Sequence, residues 1–202
     1  MCMIERPHAG KILILCGKSG SGKDAIQREL KKSGFKPIVS VTTRPMREGE
    51  TDGVEYNFVS RKTFSDLVEW GEMIEYRSYN TKVNGEPDVW FYGAQKMTLD
   101  KSEDYVVILD LEGAKSFVEY FGKESCCVCY INVPDDVRRQ RCEHRGSFDK
   151  TEFVRRMAAD AADFQDSAVE AVATNLIDNS KSLGECVKSV ASAYTKFVKR
   201  AS

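Results

Sequence analysis

Gly17-Lys18-Ser19-Gly20-Ser21-Gly22-Lys23-Asp24 stands between an apolar run, Ile12-Leu13-Ile14-Leu15-Cys16, and a stretch suited to a helix, Ala25 to Lys32. The glycines let the chain curl so that successive N–H groups face a common anion. A helix that begins behind such a loop adds the partial positive charge of its N-terminus. Lys23 supplies a mobile cation for outer phosphates. Strand, glycine-rich loop and helix in that order, carrying G-x-x-x-x-G-K, read as a phosphate-binding loop rather than a chance glycine cluster. One position departs from the pattern. Asp24 occupies the place where a serine or threonine hydroxyl ordinarily meets Mg2+. A carboxylate is also a hard oxygen ligand, which makes Asp24 a candidate metal contact. With no metal between them, its charge would repel the phosphates.

The chain of 202 residues is long enough for one well-packed core with a mobile subdomain and short for two independent domains. Lys plus Arg number 30 against 31 Asp plus Glu, for a net charge of -1. That balance argues against a nucleic-acid binder, which carries a basic excess. No run reaches the length of a membrane span, and Met1 to Gly10 has charges where a signal peptide would be apolar. Seven cysteines with no export signal suggest free thiols in a reducing, cytoplasmic setting. With only two histidines, His8 and His144, zinc spacing is missing, so Cys126, Cys127 and Cys129 read as buried strand residues.

Outward from the loop, the pattern alternates strand and helix. The first helix is expected to end near Ser33-Gly34 and a short strand to cover Pro37 to Val41. Residues 42–60 are polar and turn-rich, and Arg44 and Arg47 on this proline-stiffened segment either grip a phosphate bidentately or are solvated. A helix over 61–70 buries Phe64, Leu67 and Val68, followed by a strand at Glu72 to Tyr76. Residues 77–93 read as a long polar excursion with an Asn84-Gly85 turn. It ends in the aromatic Val89 to Gly93, either a binding wall or the packing of a small sheet. Lys96 to Lys101 suggests a short helix. Tyr105 to Asp110 is a strand buried on both faces, with an acid at the end where α/β sheets place ligands, so Asp110 is a candidate contact for Mg2+ or substrate.

A helix over Ala114 to Phe121 and a buried strand over Cys126 to Val133 continue the alternation. Pro134 opens a helix bearing Arg138, Arg139, Arg141 and Arg145, either a solvated face or a lid over phosphates. Asp149 to Glu152 resembles a capping box for a helix with Phe153, Met157, Ala161, Phe164 and Ala168 on its core face. A last strand, Asn175 to Asp178, precedes a final helix capped at Ser182 and Glu185, with Leu183, Val187, Val190, Tyr194 and Phe197 as its apolar stripe. Alternating strands and helices imply an α/β fold, a three-layer phosphate-loop architecture with a mainly parallel central sheet.

At this point the chain resembles the guanylate kinase family over nearly its whole length. The specific part is Ser40-Val41-Thr42-Thr43-Arg44-Pro45-x-Arg47-x-Gly49-Glu50-x-x-Gly53-x-x-Tyr56-x-Phe58-Val59-Ser60, supported by Glu72-Met73-Ile74-Glu75, Phe91-Tyr92-Gly93, Ile108-Leu109-Asp110 and Arg145-Gly146. The resemblance implies phosphoryl transfer from ATP to GMP with Mg2+. It also implies nucleotide partners only, with no nucleic acid or membrane, and a monomer or homodimer. Residues 17–24, Gly17, Lys18, Ser19, Gly20, Ser21, Gly22, Lys23 and Asp24, would bind ATP. Arg44, Arg47, Tyr56 and Tyr92 would bind the GMP phosphate. Ser40, Glu75 and Asp110 would face guanine. Lys23, Arg44, Arg141, Arg145 and Arg156 would surround the transferred group, and Asp24 and Asp110 would attend the metal. The implied parts are a core of 1–41, 99–137 and 157–202, a small GMP-binding part of 42–98 and a helical lid of 138–156.

Besides Asp24, the chain departs from the family at Ala94, where a serine usually helps hold guanine, and in its longer segment between Glu75 and Tyr92. Ribose 1,5-bisphosphate phosphokinases and some deoxynucleoside monophosphate kinases share the Gly-Lys-Asp ending of the loop. The intact Ser40-to-Ser60 segment and Glu75 favour GMP over those acceptors. Lys23, Asp110 and the arginines argue against a non-catalytic binding module of the same fold.

Overall fold

A computed structural model describes residues 11–83, 85–144 and 150–200, with all side chains among them except those of Lys82, Lys150, Thr151, Glu152, Arg155 and Arg156. The chain divides into two compact units, Met1–Pro37 with Asp100–Ser202, and Ile38–Leu99.

The first unit is built on a parallel sheet of five strands in the order β2 (Lys36–Pro37), β7 (Tyr105–Ile108), β1 (Ile12–Cys16), β8 (Cys126–Asn132) and β9 (Asn175–Asp178). Every residue of β1 is fully buried, which explains its unbroken apolar sequence: both faces are covered. On one face, Leu13, Leu15, Cys127 and Cys129 meet Ile26 and Leu30 of α1 (Lys23–Lys32) and Cys186, Val190 and Tyr194 of α7 (Leu183–Arg200). On the other face, α3 (Leu111–Phe121) contacts β1 and β8, and Cys126 Sγ donates to the Phe117 carbonyl at 3.6 Å. Burial of each such Leu or Ile contributes roughly 1.5–3 kcal/mol. Leu13→Ala would cost about 2–5 kcal/mol, because neighbours on three sides limit collapse into the cavity. The unit also holds α4 (Asp135–Glu143), α5 (Lys150–Asp163) and α6 (Asp166–Val172).

The expected single helix beyond residue 150 is in fact two. It breaks at Phe164-Gln165, Ala161 is exposed, and Ala168 belongs to α6. The buried positions are Phe153, Asp160 and Phe164, so a carboxylate occupies a slot where the apolar stripe suggested alanine. The stripe of α7 holds from Val187 to Phe197, but Leu183 is exposed. Its cap is as read: Ser182 Oγ accepts from Glu185 N at 3.3 Å, and Glu185 Oε2 accepts from Ser182 N at 3.3 Å. Asn84, Arg145, Gly146 and Asp149 lie outside the described residues, as do the side chains of Lys150, Thr151 and Glu152 on which the expected capping box depends.

The second unit contains a mixed sheet in the order β4 (Asn57–Phe58), β3 (Val41–Thr42), β6 (Glu86–Gln95) and β5 (Met73–Val83), with α2 (Arg61–Glu69) beside it. Three expectations fail here. The strand read over Pro37 to Val41 is two short strands, β2 and β3, that belong to different sheets. The polar excursion at 77–93 is mostly strand. Arg77 pairs with Tyr92, Tyr79 with Trp90 and Thr81 with Asp88 in an antiparallel ladder that turns at Gly85. Ser78, Tyr79 and Asn80 are all exposed, so the hairpin lacks the apolar alternation that marks a half-buried strand. Residues 96–100 form no helix.

Candidate functional site

In the first unit, loop 17–22 leaves β1 and delivers the chain into α1. Gly22 is the N-cap, with φ of 94°, a left-handed conformation that costs glycine little. A side chain there would also start 2.7 Å from Asn179 Nδ2. Lys23, the first residue of the helix, turns its ammonium back onto the loop. It donates to the Gly17 carbonyl at 2.6 Å, the Lys18 carbonyl at 3.1 Å and Ser21 Oγ at 3.3 Å. Burial pulls its pKa below the ordinary 10.5, while the charges of Asp24 and Asp160 act to raise it. Asp24 lies in the first turn of α1 and is exposed, where the helix dipole favours an anion.

The outside of the loop is tied to three later elements. Ser19 N donates to Asp160 Oδ2 at 2.9 Å, and Ser19 Oγ to Asp160 Oδ1 at 3.3 Å. Arg138 Nη1 donates to the Ser19 carbonyl at 2.8 Å and to Asp160 Oδ2 at 2.9 Å. Asn179 Nδ2 donates to the Ser21 carbonyl at 2.8 Å. Arg138 is only 1% exposed, so this arginine does not belong to a solvated helix face. Arg141 Nη2 donates to the Asn179 carbonyl at 2.7 Å, which puts this guanidinium beside Gly22. The side chain of Arg156 and the whole of Arg145 lie outside the described residues. Asp110 caps α3, its Oδ1 accepting from Gly113 N at 2.7 Å. Asp160 and Asn179 were missed by sequence reasoning, which named Arg138 only among the arginines of its helix and not as a partner of the loop. The only signal was a charged residue inside an otherwise apolar stripe.

In the second unit, Thr42 and Thr43 lock the arginine segment to β6. Thr42 Oγ1 donates to the Phe91 carbonyl at 2.9 Å and accepts from Arg44 N at 3.1 Å, and Thr43 Oγ1 accepts from Phe91 N at 2.9 Å. Arg44 is 3% exposed, and Glu50 grips it bidentately. Its guanidinium carbon lies 5.5 Å from the Tyr56 ring centre and 5.4 Å from that of Phe58. Tyr56 packs edge-on against Tyr92, which meets Tyr79 in the same way. Arg44, Tyr56 and Tyr92 therefore share one cluster, whereas Arg47 is exposed. Glu50 stood in the quoted motif without an assigned role. Its bonds from Arg44, then from Arg47 N, hold its carboxyl below the ordinary 4.5. Ser40 and Glu75 are half-buried. Glu75 pairs across the ladder with Ala94, which places both side chains on one sheet face.

Among the described residues, no cluster of three or more His, Cys, Asp or Glu is placed to hold a metal ion, and no helix is long and apolar enough to cross a membrane. The six described cysteines are unpaired. Burial pushes Cys16 and Cys126 up to about 12 and Cys186 to about 11, so these thiols are not nucleophiles.

The guanylate kinase family model matches residues 9–196. The chain is 37% identical over 109 residues to a guanylate kinase of Enterococcus faecalis, covering 52% of each chain. The chain thus spans about half the length of that relative. It is 32% identical over 162 residues to a guanylate kinase of Chromohalobacter salexigens, covering 79% of this chain and 73% of the other. The crystal structure of guanylate kinase from Anaplasma phagocytophilum superposes with a TM-score of 0.63 at 27% identity, over 96% of this chain and 86% of that one. With a glycine-rich loop between β1 and α1, an Arg44–Tyr56–Tyr92 cluster in the second unit and a family model matching residues 9–196, the chain belongs to the guanylate kinase family.

Proposed function

We propose that this protein transfers the terminal phosphoryl group of ATP to GMP, giving ADP and GDP. One observation carries the reading: the chain joins a complete phosphate loop, Gly17 to Lys23, to a second unit in which Arg44, Tyr56 and Tyr92 converge. The loop amides and the start of α1 receive the donor's phosphates. Lys23 leaves the loop carbonyls for the outer phosphate oxygens, and Arg141 adds charge beside Gly22. In the second unit, Arg44 and the tyrosine hydroxyls hold the acceptor's phosphate, and Glu75 accepts from guanine N1–H and its amino group. The acceptor oxygen is already ionised at neutral pH, so no general base is needed. Positioning and charge neutralisation carry the reaction.

The family implies Mg2+, and the donors present fit it. Magnesium is commonly held by one or two carboxylates with phosphate oxygens and water rather than by an all-protein cage. Asp24 is an exposed carboxylate in the first turn behind the loop and would be that ligand. Asp110 already commits Oδ1 to its helix cap. When bound, the ion neutralises charge on the phosphate oxygens.

ADP release measured with GMP, dGMP, AMP, CMP, UMP and ribose 1,5-bisphosphate tests the proposal. GMP or dGMP should give the highest kcat/KM. Preference for ribose 1,5-bisphosphate would overturn it. Lys23→Ala should lower kcat by about a hundredfold or more, the size of a lost transition-state charge contact. Parent-like turnover in that variant would remove the loop from the mechanism.

A further inference from the structure

Two buried charges hold the phosphate loop from behind, and the proposed reaction uses neither of them. Asp160 of α5 takes the N–H of Ser19, and Arg138 of α4 takes its carbonyl. The two side chains bind each other at 2.9 Å. Asp135 completes the guanidinium, its Oδ1 accepting from Arg138 Nη2 at 2.6 Å and Nε at 3.2 Å. We propose that Asp160 and Arg138 are positioning residues for the donor nucleotide: they clamp both polar groups of the Ser19 backbone and so fix the loop in the shape that receives ATP. The inference rests on reading residues 17–24 as the donor's phosphate loop.

The physical case has three parts. An ion pair removed from water is costly and often no more stabilising than apolar residues of like volume, so its presence here is not explained by stability alone. Its hydrogen bonds go to backbone atoms of one loop residue. Any rotation of Ser19 about its flanking bonds must therefore break a charge-assisted contact. Helix α4 also lies directly on the next residue, since a side chain at Gly20 would start 3.0 Å from the Arg138 carbonyl. The loop cannot shift without moving α4, α5 or both.

Charge and geometry predict opposite signs. A carboxylate close behind a phosphate loop repels a triphosphate, so on charge alone removing Asp160 should tighten ATP binding. On geometry, its removal frees the loop and weakens binding. Calorimetry of the full chain with ATP, and separately with GMP, distinguishes the two. Asp160→Ala should weaken ATP by about tenfold or more, the range of a lost charged hydrogen bond, with GMP affinity unchanged. KM for ATP should rise with kcat near the parent's. Asp160→Asn, which keeps an acceptor for the Ser19 N–H, should recover part of the loss. Arg138→Leu combined with Asp160→Ala should regain the parent Tm without regaining ATP affinity. If Asp160→Ala does not fold, the asparagine and double variants carry the same comparison. ATP binding equal to or tighter than the parent's in these variants would overturn the clamp alone. A parent chain that binds no ATP would overturn the donor-loop reading and the clamp with it.

Discussion

Glu50 accepts from both terminal guanidinium nitrogens of Arg44, Oε1 from Nη2 at 2.7 Å and Oε2 from Nη1 at 3.0 Å. The same Oε2 accepts from Arg47 N at 2.7 Å. One carboxylate thus shapes the whole turn from Arg44 to Glu50. Because its folded pKa is depressed, its contribution is present above the unfolded value and is lost as pH falls through the folded one. Glu50→Gln should lower Tm at about pH 7, and the gap to the parent should narrow as pH falls below the unfolded carboxyl value and on through the depressed folded one. A gap that stays constant with pH would deny the pair this role. The variant should also raise KM for GMP, since a released guanidinium must be re-ordered on binding.

Asp24 should make Mg2+ dependence a property of its charge. Asp24→Asn keeps the size and removes the charge, so it should need more Mg2+ for half-maximal activity. Asp24→Ser, which restores a hydroxyl, should stay active with a shifted optimum. Superimposable Mg2+ titrations for the three proteins would remove Asp24 from the metal.

Guanine selectivity should rest on Glu75. Adenine offers an acceptor where guanine has N1–H and lacks the second donor, so it would leave the carboxylate unpaired. Glu75→Gln should reduce kcat/KM for GMP by at least about tenfold, with a much smaller fall for other acceptors. The residue opposite it is Ala94, so Ala94→Ser adds a hydroxyl as cross-strand neighbour and should lower KM for GMP. Unchanged GMP kinetics in Glu75→Gln would place recognition elsewhere.

Cys142 differs from the other described cysteines. They are buried, whereas it is partly exposed, and its sulfur lies 2.9 Å from where a side chain at Gly20 would begin. In a Cys2→Ser background, a bulky thiol reagent should modify Cys142 first and block ATP binding. ATP should protect it, and Cys142→Ser should be insensitive. Equal inactivation of that variant would show that the reagent acts at another residue.

Much of this was legible in the sequence because local rules and tertiary need agree. β1 and the buried part of β8, Cys126 to Ile131, are apolar since both faces are covered, and the loop is glycine-rich since its backbone must curl. The hairpin of β5 and β6 was hidden because Ser78 to Asn80 in β5 are exposed in a row and leave no period-two signal. The clamp was hidden for a different reason. Periodicity ranks residues by hydrophobicity, and Asp160 and Arg138 are buried through each other, a fact that no single helix carries. The tie between Arg44 and Glu50 spans six residues, yet nothing in their spacing says that the acid serves the arginine rather than solvent.

The long reach of the clamp bears on how the protein is made. Ser19 and Arg138 are 119 positions apart, and Ser19 and Asp160 are 141. A ribosome therefore releases the entire glycine-rich motif long before it has polymerised the groups that shape it. Domains form from the N-terminal side as they emerge, but contacts of such sequence separation must wait for the later chain. A nascent chain halted before residue 160 would display the complete signature of a nucleotide binder without its scaffold. Competence to bind ATP would then arrive late in synthesis, when α5 has cleared the exit tunnel.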